Sequence, residues 1–209
     1  MTDLMIIAKE PVPGRVKTRL TPPFSPQEAA ELARAALADS LAALAAVPAA
    51  RRVLVLAGEP GPWLPPGFTV LPQVGGGLDQ RLAAAFADCT GPALLIGMDT
   101  PQVTPELLCA GADFTDHDAW FGPAADGGFW ALGLAVPDPS LLLGVPMSQP
   151  RTGALLEARL RAAGLRTGRL PELRDVDTAA DALEVAALAP ATRFAALYRS
   201  ITGVPEGAR

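Results

Sequence analysis

Asp99 closes the run Ala93-Leu94-Leu95-Ile96-Gly97-Met98 and is followed by Thr100-Pro101. An acid at the end of an apolar, strand-length run is costly unless it is hydrogen-bonded or faces a cation. In open α/β sheets, ligands bind in the crevice beyond the carboxyl ends of the strands. Gly97 removes a side chain beside the acid, so a ligand could approach the backbone closely. Asp99 taken alone reads either as a ligand- or metal-binding acid or as a cap on the following turn.

Four further stretches carry chemistry. Lys9-Glu10-Pro11-Val12-Pro13-Gly14-Arg15-Val16-Lys17-Thr18-Arg19-Leu20 places four cations within eleven residues of an acidic chain. Two prolines limit this loop, and Gly14 permits a turn that other residues resist. Lys9, Arg15, Lys17 and Arg19 could gather around one polyphosphate through charge-assisted hydrogen bonds. The loop has neither the Walker spacing nor a GxGxxG. Asp126-Gly127-Gly128, flanked by Phe129 and Trp130, suits a substrate-facing turn, though Asp-Gly is also a hairpin signal. Ser148, Arg151 and Thr152 in the irregular segment 141–153 could meet an anionic acceptor. Asp175-Val176-Asp177-Thr178 holds two acids that extended alternation points to one side. The lone His117, among Asp113, Asp116 and Asp118, reads as a surface residue.

The elements that must position these residues alternate between strand and helix. Leu4–Ala8, Arg52–Ala57, Thr69–Leu71 and Ala93–Gly97 read as strands, the first and last apolar throughout as in a parallel sheet covered on both faces. Ala119–Gly122 and Phe129–Leu134 add two more. Ser25-Pro26-Gln27-Glu28 is a capping box that starts a helix reaching about Ala46. Gln73-Val74-Gly75-Gly76-Gly77 precedes a helix over 78–88 that carries Arg81, and its glycines leave bare backbone for something flat or bulky. Thr104-Pro105 begins a helix to about Gly111, and Gly164 ends another that starts at Gly153. Thr178, with Asp181 three residues on, starts the first of two final helices split at Pro190. The tail from Gly203 is expected to fray. These elements predict a single domain over residues 1–209, a three-layer α/β/α arrangement with a mostly parallel sheet.

Half the residues are hydrophobic and 19% are charged, which suits a buried core and excludes a disordered chain. A formal net charge of −5 and an isoelectric point near 4.9 argue against a nucleic-acid surface. No apolar segment approaches the roughly 18 residues needed to span a bilayer. The Ala-rich segment 29–47 carries Glu31, Arg34 and Asp39 and reads as an amphipathic helix. Cys89 and Cys109 have no CxxC spacing. Without a signal-like amino terminus, a cytoplasmic location is expected.

Taken together, Lys9-x-Pro11-x-Pro13-Gly14-x-Val16-Lys17-Thr18-Arg19-Leu20, Gly97-x-Asp99-x-Pro101, Asp126-Gly127-Gly128-Phe129-Trp130 and Asp175-Val176-Asp177-Thr178 resemble the nucleotide-diphospho-sugar transferase superfamily, which has the GT-A fold. The nearest group is a bacterial glycosyltransferase-like family related to molybdenum cofactor guanylyltransferase and 2-phospho-L-lactate guanylyltransferase. The resemblance runs from about Leu4 to Ala189. It implies that Asp99 and Asp177 hold a divalent metal, Mg2+ or Mn2+, bridging nucleotide phosphates. It implies nucleotide contacts at Ala8, Lys9, Gly14, Arg15, Lys17, Arg19, Gly75, Gly76 and Arg81. Acceptor contacts are expected at Asp126, Gly127, Gly128, Trp130, Ser148 and Thr152. The chain departs from the family at Gly76-Gly77-Leu78-Asp79, where relatives tend to show Gly-Asp-Leu-Gly, and lacks a tryptophan-led motif after Pro146. The base and the acceptor therefore stay open.

The implied chemistry is transfer from a nucleotide donor, with Lys17, Asp99 and Asp177 as its catalytic groups. Such reactions rest on positioning and electrostatic stabilisation, and magnesium typically takes one or two carboxylates plus phosphate oxygens. Four loop cations and a single acid at Asp99 favour nucleotidyl transfer from an NTP to a small phosphorylated or phosphonate acceptor, releasing pyrophosphate. Glycosyl transfer from an NDP-sugar and a non-catalytic nucleotide-binding module are the alternatives. The expected partners are the nucleotide and a small-molecule acceptor; a homodimer is allowed but not required.

Overall fold

A computed structural model describes residues 1–203. The chain order is β1 (Asp3–Lys9), α1 (Pro26–Ala45), β2 (Arg52–Ala57), β3 (Thr69–Pro72), α2 (Leu78–Ala87), β4 (Ala93–Gly97), α3 (Pro105–Gly111), β5 (Ala119–Pro123), β6 (Phe129–Leu134), α4 (Thr152–Ala162), β7 (Thr167–Arg169), α5 (Ala179–Leu188) and α6 (Arg193–Thr202). Short 3-10 turns lie at Thr18–Leu20 and Pro139–Leu141. Of the tail expected to fray, residues 204–209 lie outside the described residues. No helix among the described residues is long and apolar enough to cross a membrane.

The strands form one sheet in the order β3-β2-β1-β4-β6-β5-β7. β1 pairs in parallel with β2 and β4, β2 with β3, and β5 with β7; β6 runs antiparallel to both β4 and β5. The reversal of β6 follows from the connection 124–128, which is too short for a crossover. Six strands therefore end at one edge of the sheet. The β5–β6 turn opens at that same edge.

Both faces of the sheet are covered, as the apolar runs predict. Leu4, Ile6, Leu94 and Ile96 point to one core with Leu37 and Leu41 of α1 and Leu108 of α3. Their alternates Met5 and Leu95 point to a second core with Phe86 of α2 and Leu156 of α4. A third cluster binds α1 to α5 and α6 through Leu32, Val185, Phe194 and Tyr198. Burying each such side chain contributes roughly 1.5–3 kcal/mol.

Local chemistry sets the helix starts. Ser25 accepts from the Glu28 backbone N–H at 3.2 Å, and Glu28 accepts from the Ser25 N–H at 2.8 Å. Thr178 and Asp181 repeat that reciprocal pair on α5. Asp39 of α1 accepts from the Arg193 and Phe194 N–H groups at 3.1 and 2.9 Å, so one helix caps another.

Candidate functional site

The carboxyl-end edge of the sheet collects residues that lie far apart in sequence. Asp99 lies just beyond β4, two residues after Gly97, whose register partner on β1 is Ile7. Asp177 reaches it because the extended segment after β7 docks on the end of β4: the Val176 N–H donates to the Asp99 carbonyl at 2.9 Å. Gln102 Nε2 adds a bond to the Arg174 carbonyl at 2.7 Å. Val176 is buried, which turns Asp175 and Asp177 outward from it along one side of the strand-like segment.

Lys17 joins the two acids. Its Nζ lies 2.9 Å from Asp99 Oδ1 and 2.9 Å from Asp177 Oδ1, with its own side chain only 8% exposed. Burial alone would lower the Lys17 pKa, but Asp99 and then Asp177 outweigh it, and the net direction is up. The Lys17 backbone is left-handed, at φ 49° and ψ 40°. A non-glycine residue there costs roughly 1–3 kcal/mol and persists only where its surroundings hold it. Arg19 stays exposed, its Nη1 3.8 Å from Asp177 Oδ2. Arg15 and Lys9 are exposed at the same edge, and Gly14, at φ 76°, turns the loop between them.

Asp175 is the acid whose full part the sequence left open. Burial first, then the negative charges of Asp99 and Asp126, lift its carboxyl to about 7, although Lys17 works the other way. The turn carrying Asp126 therefore reaches the same cluster. Asp126 Oδ1 accepts from the Gly128 N–H at 2.8 Å. Gly127 adopts φ 86°, and a Cβ there would run into the Pro150 carbonyl. The Gly153 N–H closes the contact by donating to the Gly127 carbonyl at 2.8 Å, which seats the Ser148 loop on this turn.

Two residues expected at the acceptor are interior instead. Trp130 is 1% exposed and its indole donates to the Pro171 carbonyl at 3.0 Å. Thr152 is 3% exposed; its hydroxyl donates to the Pro146 carbonyl at 2.8 Å and accepts from the Gln149 N–H at 3.1 Å. Strand alternation explains the first, since Phe129 and Trp130 must face opposite ways. Both residues hold loops and do not present a surface. Ser148 is exposed, with φ 57°.

On the other flank, Ala8 is buried and offers only its backbone. Its carbonyl accepts from Gln73 Nε2 at 2.7 Å, and the same amide reaches the Val55 carbonyl at 3.0 Å. Arg81 donates to Gln73 Oε1 at 3.4 Å and to the Gly76 carbonyl at 3.0 Å, which fixes the glycine segment against the sheet. Sequence reading passed over Gln73; its one signal is its place directly after β3, at a strand end. A Cβ on Gly75 or on Gly97 would meet nothing within 4 Å, so both border open space.

The cleft is open. A cavity of about 480 Å³ lies elsewhere, between α1, α6 and Trp63, while one of about 250 Å³ touches Gln73 and Arg81 but not the acids. The carboxylates, exposed cations and glycine segment share one open edge, which makes it the candidate site. Among the described residues no three His, Cys, Asp or Glu side chains form a ready-made metal cage. The donor set still suits a hard divalent ion, because such an ion needs only one or two carboxylates when phosphates supply the rest. The Lys17 ammonium already places a cation between the two acids.

The fold has counterparts among known proteins. The sequence profile of a family described as an uncharacterized protein conserved in bacteria (DUF2064) matches residues 29–149. No curated protein matches the sequence. A candidate nucleotide-diphospho-sugar transferase from Desulfovibrio desulfuricans is 26% identical and superposes with a TM-score of 0.85, over 97% of this chain and 96% of that one. CMP:2-keto-3-deoxy-manno-octonic acid synthetase, solved with CTP, is 14% identical with a TM-score of 0.56, over 91% and 99% of the two chains. The 2-C-methyl-D-erythritol 4-phosphate cytidylyltransferase of Thermus thermophilus is 18% identical with a TM-score of 0.54, over 91% and 100%. The fold is that of the nucleotide-diphospho-sugar transferases, with the mostly parallel α/β sheet that the strand pattern predicts.

Proposed function

We propose that this chain, which belongs to the DUF2064 family, transfers a nucleotidyl group from a nucleoside triphosphate to a small phosphorylated or phosphonate acceptor. The observation that carries the reading is the Lys17 ammonium held between Asp99 and Asp177, with Arg15 and Arg19 exposed beside it. An acceptor oxygen attacks the α-phosphorus, the bond to the bridging oxygen breaks, and pyrophosphate leaves. Asp99 and Asp177 would hold Mg2+ or Mn2+, which when bound would neutralise phosphate charge. Arg15, Arg19 and the Lys17 ammonium, once released from the acids, stabilise the charge that gathers on the departing pyrophosphate through charge-assisted hydrogen bonds. The Gly75-Gly76 backbone, held at the Gly76 carbonyl by Arg81, which Gln73 holds in turn, offers its bare surface to the base. The Asp126–Gly128 turn and exposed Ser148 face the acceptor.

Glycosyl transfer from an NDP-sugar is the second reading, favoured by the 26% identical relative described as a candidate nucleotide-diphospho-sugar transferase. A loop with several cations and a lone acid at Asp99 suits a triphosphate better. Isothermal titration with the four NTPs and a set of NDP-sugars, each with Mg2+, separates the two. Pyrophosphate release in the presence of pooled phosphorylated metabolites separates catalysis from mere binding. Tight NTP binding with pyrophosphate release supports nucleotidyl transfer. Binding confined to NDP-sugars, or no pyrophosphate under any condition, overturns it.

A further inference from the structure

Phosphate binding does not account for where Lys17 is. A cation waiting for phosphates should be open to solvent, as Arg15 and Arg19 are. Lys17 is instead withdrawn onto Asp99 Oδ1 and Asp177 Oδ1, at 2.9 Å each, with little of its side chain left to solvent. Its left-handed backbone is an unfavourable conformation for a lysine. No side chain caps the 3-10 turn that begins there. The Leu20 N–H donates to the Lys17 carbonyl at 3.0 Å, and the ion pair with the two acids is what the Lys17 side chain adds to hold that conformation.

We infer that Lys17 is a built-in counter-ion that excludes free divalent metal and yields its place only to a metal–nucleotide complex. The inference rests on the reading of Asp99 and Asp177 as metal ligands. Two carboxylates sharing one small space would attract any divalent ion. With the ammonium between them, their net charge falls from −2 to −1, and an incoming ion meets a fixed positive charge as well. Metal alone gives the displaced ammonium nothing in return, so it would leave a buried cation without partners. A triphosphate does, since its oxygens accept from the released ammonium and fill the remaining positions on the ion. Lys17 thereby determines specificity for the complex over the bare ion, and it couples metal and nucleotide binding.

The coupling has a signature that a plain phosphate-binding lysine would lack. Neutralising Lys17 should strengthen metal binding and weaken nucleotide binding, two changes of opposite sign. Mn2+ binding without nucleotide is followed by electron paramagnetic resonance on the natural protein, Lys17→Met and Lys17→Gln, with Asp99→Asn as the variant that removes a ligand. Both Lys17 variants should bind Mn2+ about tenfold or more tightly, within the usual range of coupling between two ligands. Each NTP with Mg2+ should bind them more weakly. A measurement on the natural protein needs no variant to fold: the Lys17 ammonium signal in nitrogen-15 NMR should persist when Mg2+ alone is added and shift with Mg2+ plus NTP. Mn2+ affinity unchanged or lowered in both variants, or an ammonium signal lost to Mg2+ alone, overturns the inference. Such a result beside intact pyrophosphate release leaves the transferase reading standing. A gain in Mn2+ affinity without any pyrophosphate release upholds the counter-ion and removes nucleotidyl transfer.

Discussion

Asp175→Asn should make the metal-free protein more stable above neutral pH and flatten its stability profile. The Asp175 carboxyl lies in the folded chain at about 7, chiefly through burial and then through Asp99 and Asp126, against an ordinary value of 3.8. Between those two pH values the folded protein keeps a proton that the unfolded chain has released. The native state then binds more protons than the unfolded one, so stability falls as pH rises through this window and levels off above about 7. The full gap corresponds to roughly 4 kcal/mol, and relaxation around a coupled cluster makes about 2–4 kcal/mol the fair range. Asparagine has nearly the same shape and no charge to bury. The variant should match the natural protein near pH 4 and exceed it by about 2–4 kcal/mol at pH 8, which for a chain of this size is roughly 4–16 °C in melting temperature. Urea unfolding at pH 4, 6 and 8 with a chelator present measures this directly. Parallel profiles for the two proteins across the range would refute the placement of Asp175 as a half-buried member of the acid cluster.

At the opposite end of β1, Arg51 donates to Asp3 Oδ2 at 3.0 and 2.7 Å, and Asp3 is only 6% exposed. Arg51→Ala leaves that carboxylate unpaired and should cost about 2–4 kcal/mol in urea unfolding, with NTP affinity unchanged because the site lies at the other edge. Gly127→Ala combines a left-handed backbone with a Cβ that meets the Pro150 carbonyl; it should cost about 2 kcal/mol or more by thermal denaturation and expose the Ser148 loop to limited proteolysis. Trp130→Phe removes the bond to the Pro171 carbonyl and should cost about 1–3 kcal/mol, while nucleotide and acceptor KM values stay as they are. A raised acceptor KM in that variant would return Trp130 to the surface role that its place in the motif suggests.

What the sequence made legible is what local chemistry decides. Ser25 with Glu28 and Thr178 with Asp181 are complete capping boxes within four residues, so their helices could be placed without tertiary knowledge. The uninterrupted apolar runs at β1 and β4 suit strands covered on both faces, and they are neighbours in the middle of the sheet. β7 was missed for the same reason in reverse. Thr167–Arg169 is three residues long with only Gly168 buried, so neither length nor alternation marks it, and it becomes a strand because β5 offers it a free edge.

The site divides along the same line. Asp99 could be picked out because it follows an apolar run at a strand end, and Asp177 through the resemblance its motif carries, yet their meeting depends on the Val176–Asp99 bond, which no spacing encodes. Gln73 escaped notice because its function is tertiary: its amide joins the carbonyls of two other strands and its oxygen receives Arg81. Lys17 shows the difference most sharply. Sequence gives its charge and its company of cations, from which it reads as a phosphate contact, and the resemblance adds a catalytic part without saying what the side chain meets. Packing makes it unequal, since it alone is drawn inward onto two acids while Arg15 and Arg19 remain in solvent. A charge count predicts how much anion a loop can neutralise. Which cation is committed in advance, and to what, depends on where the chain places the opposing charges.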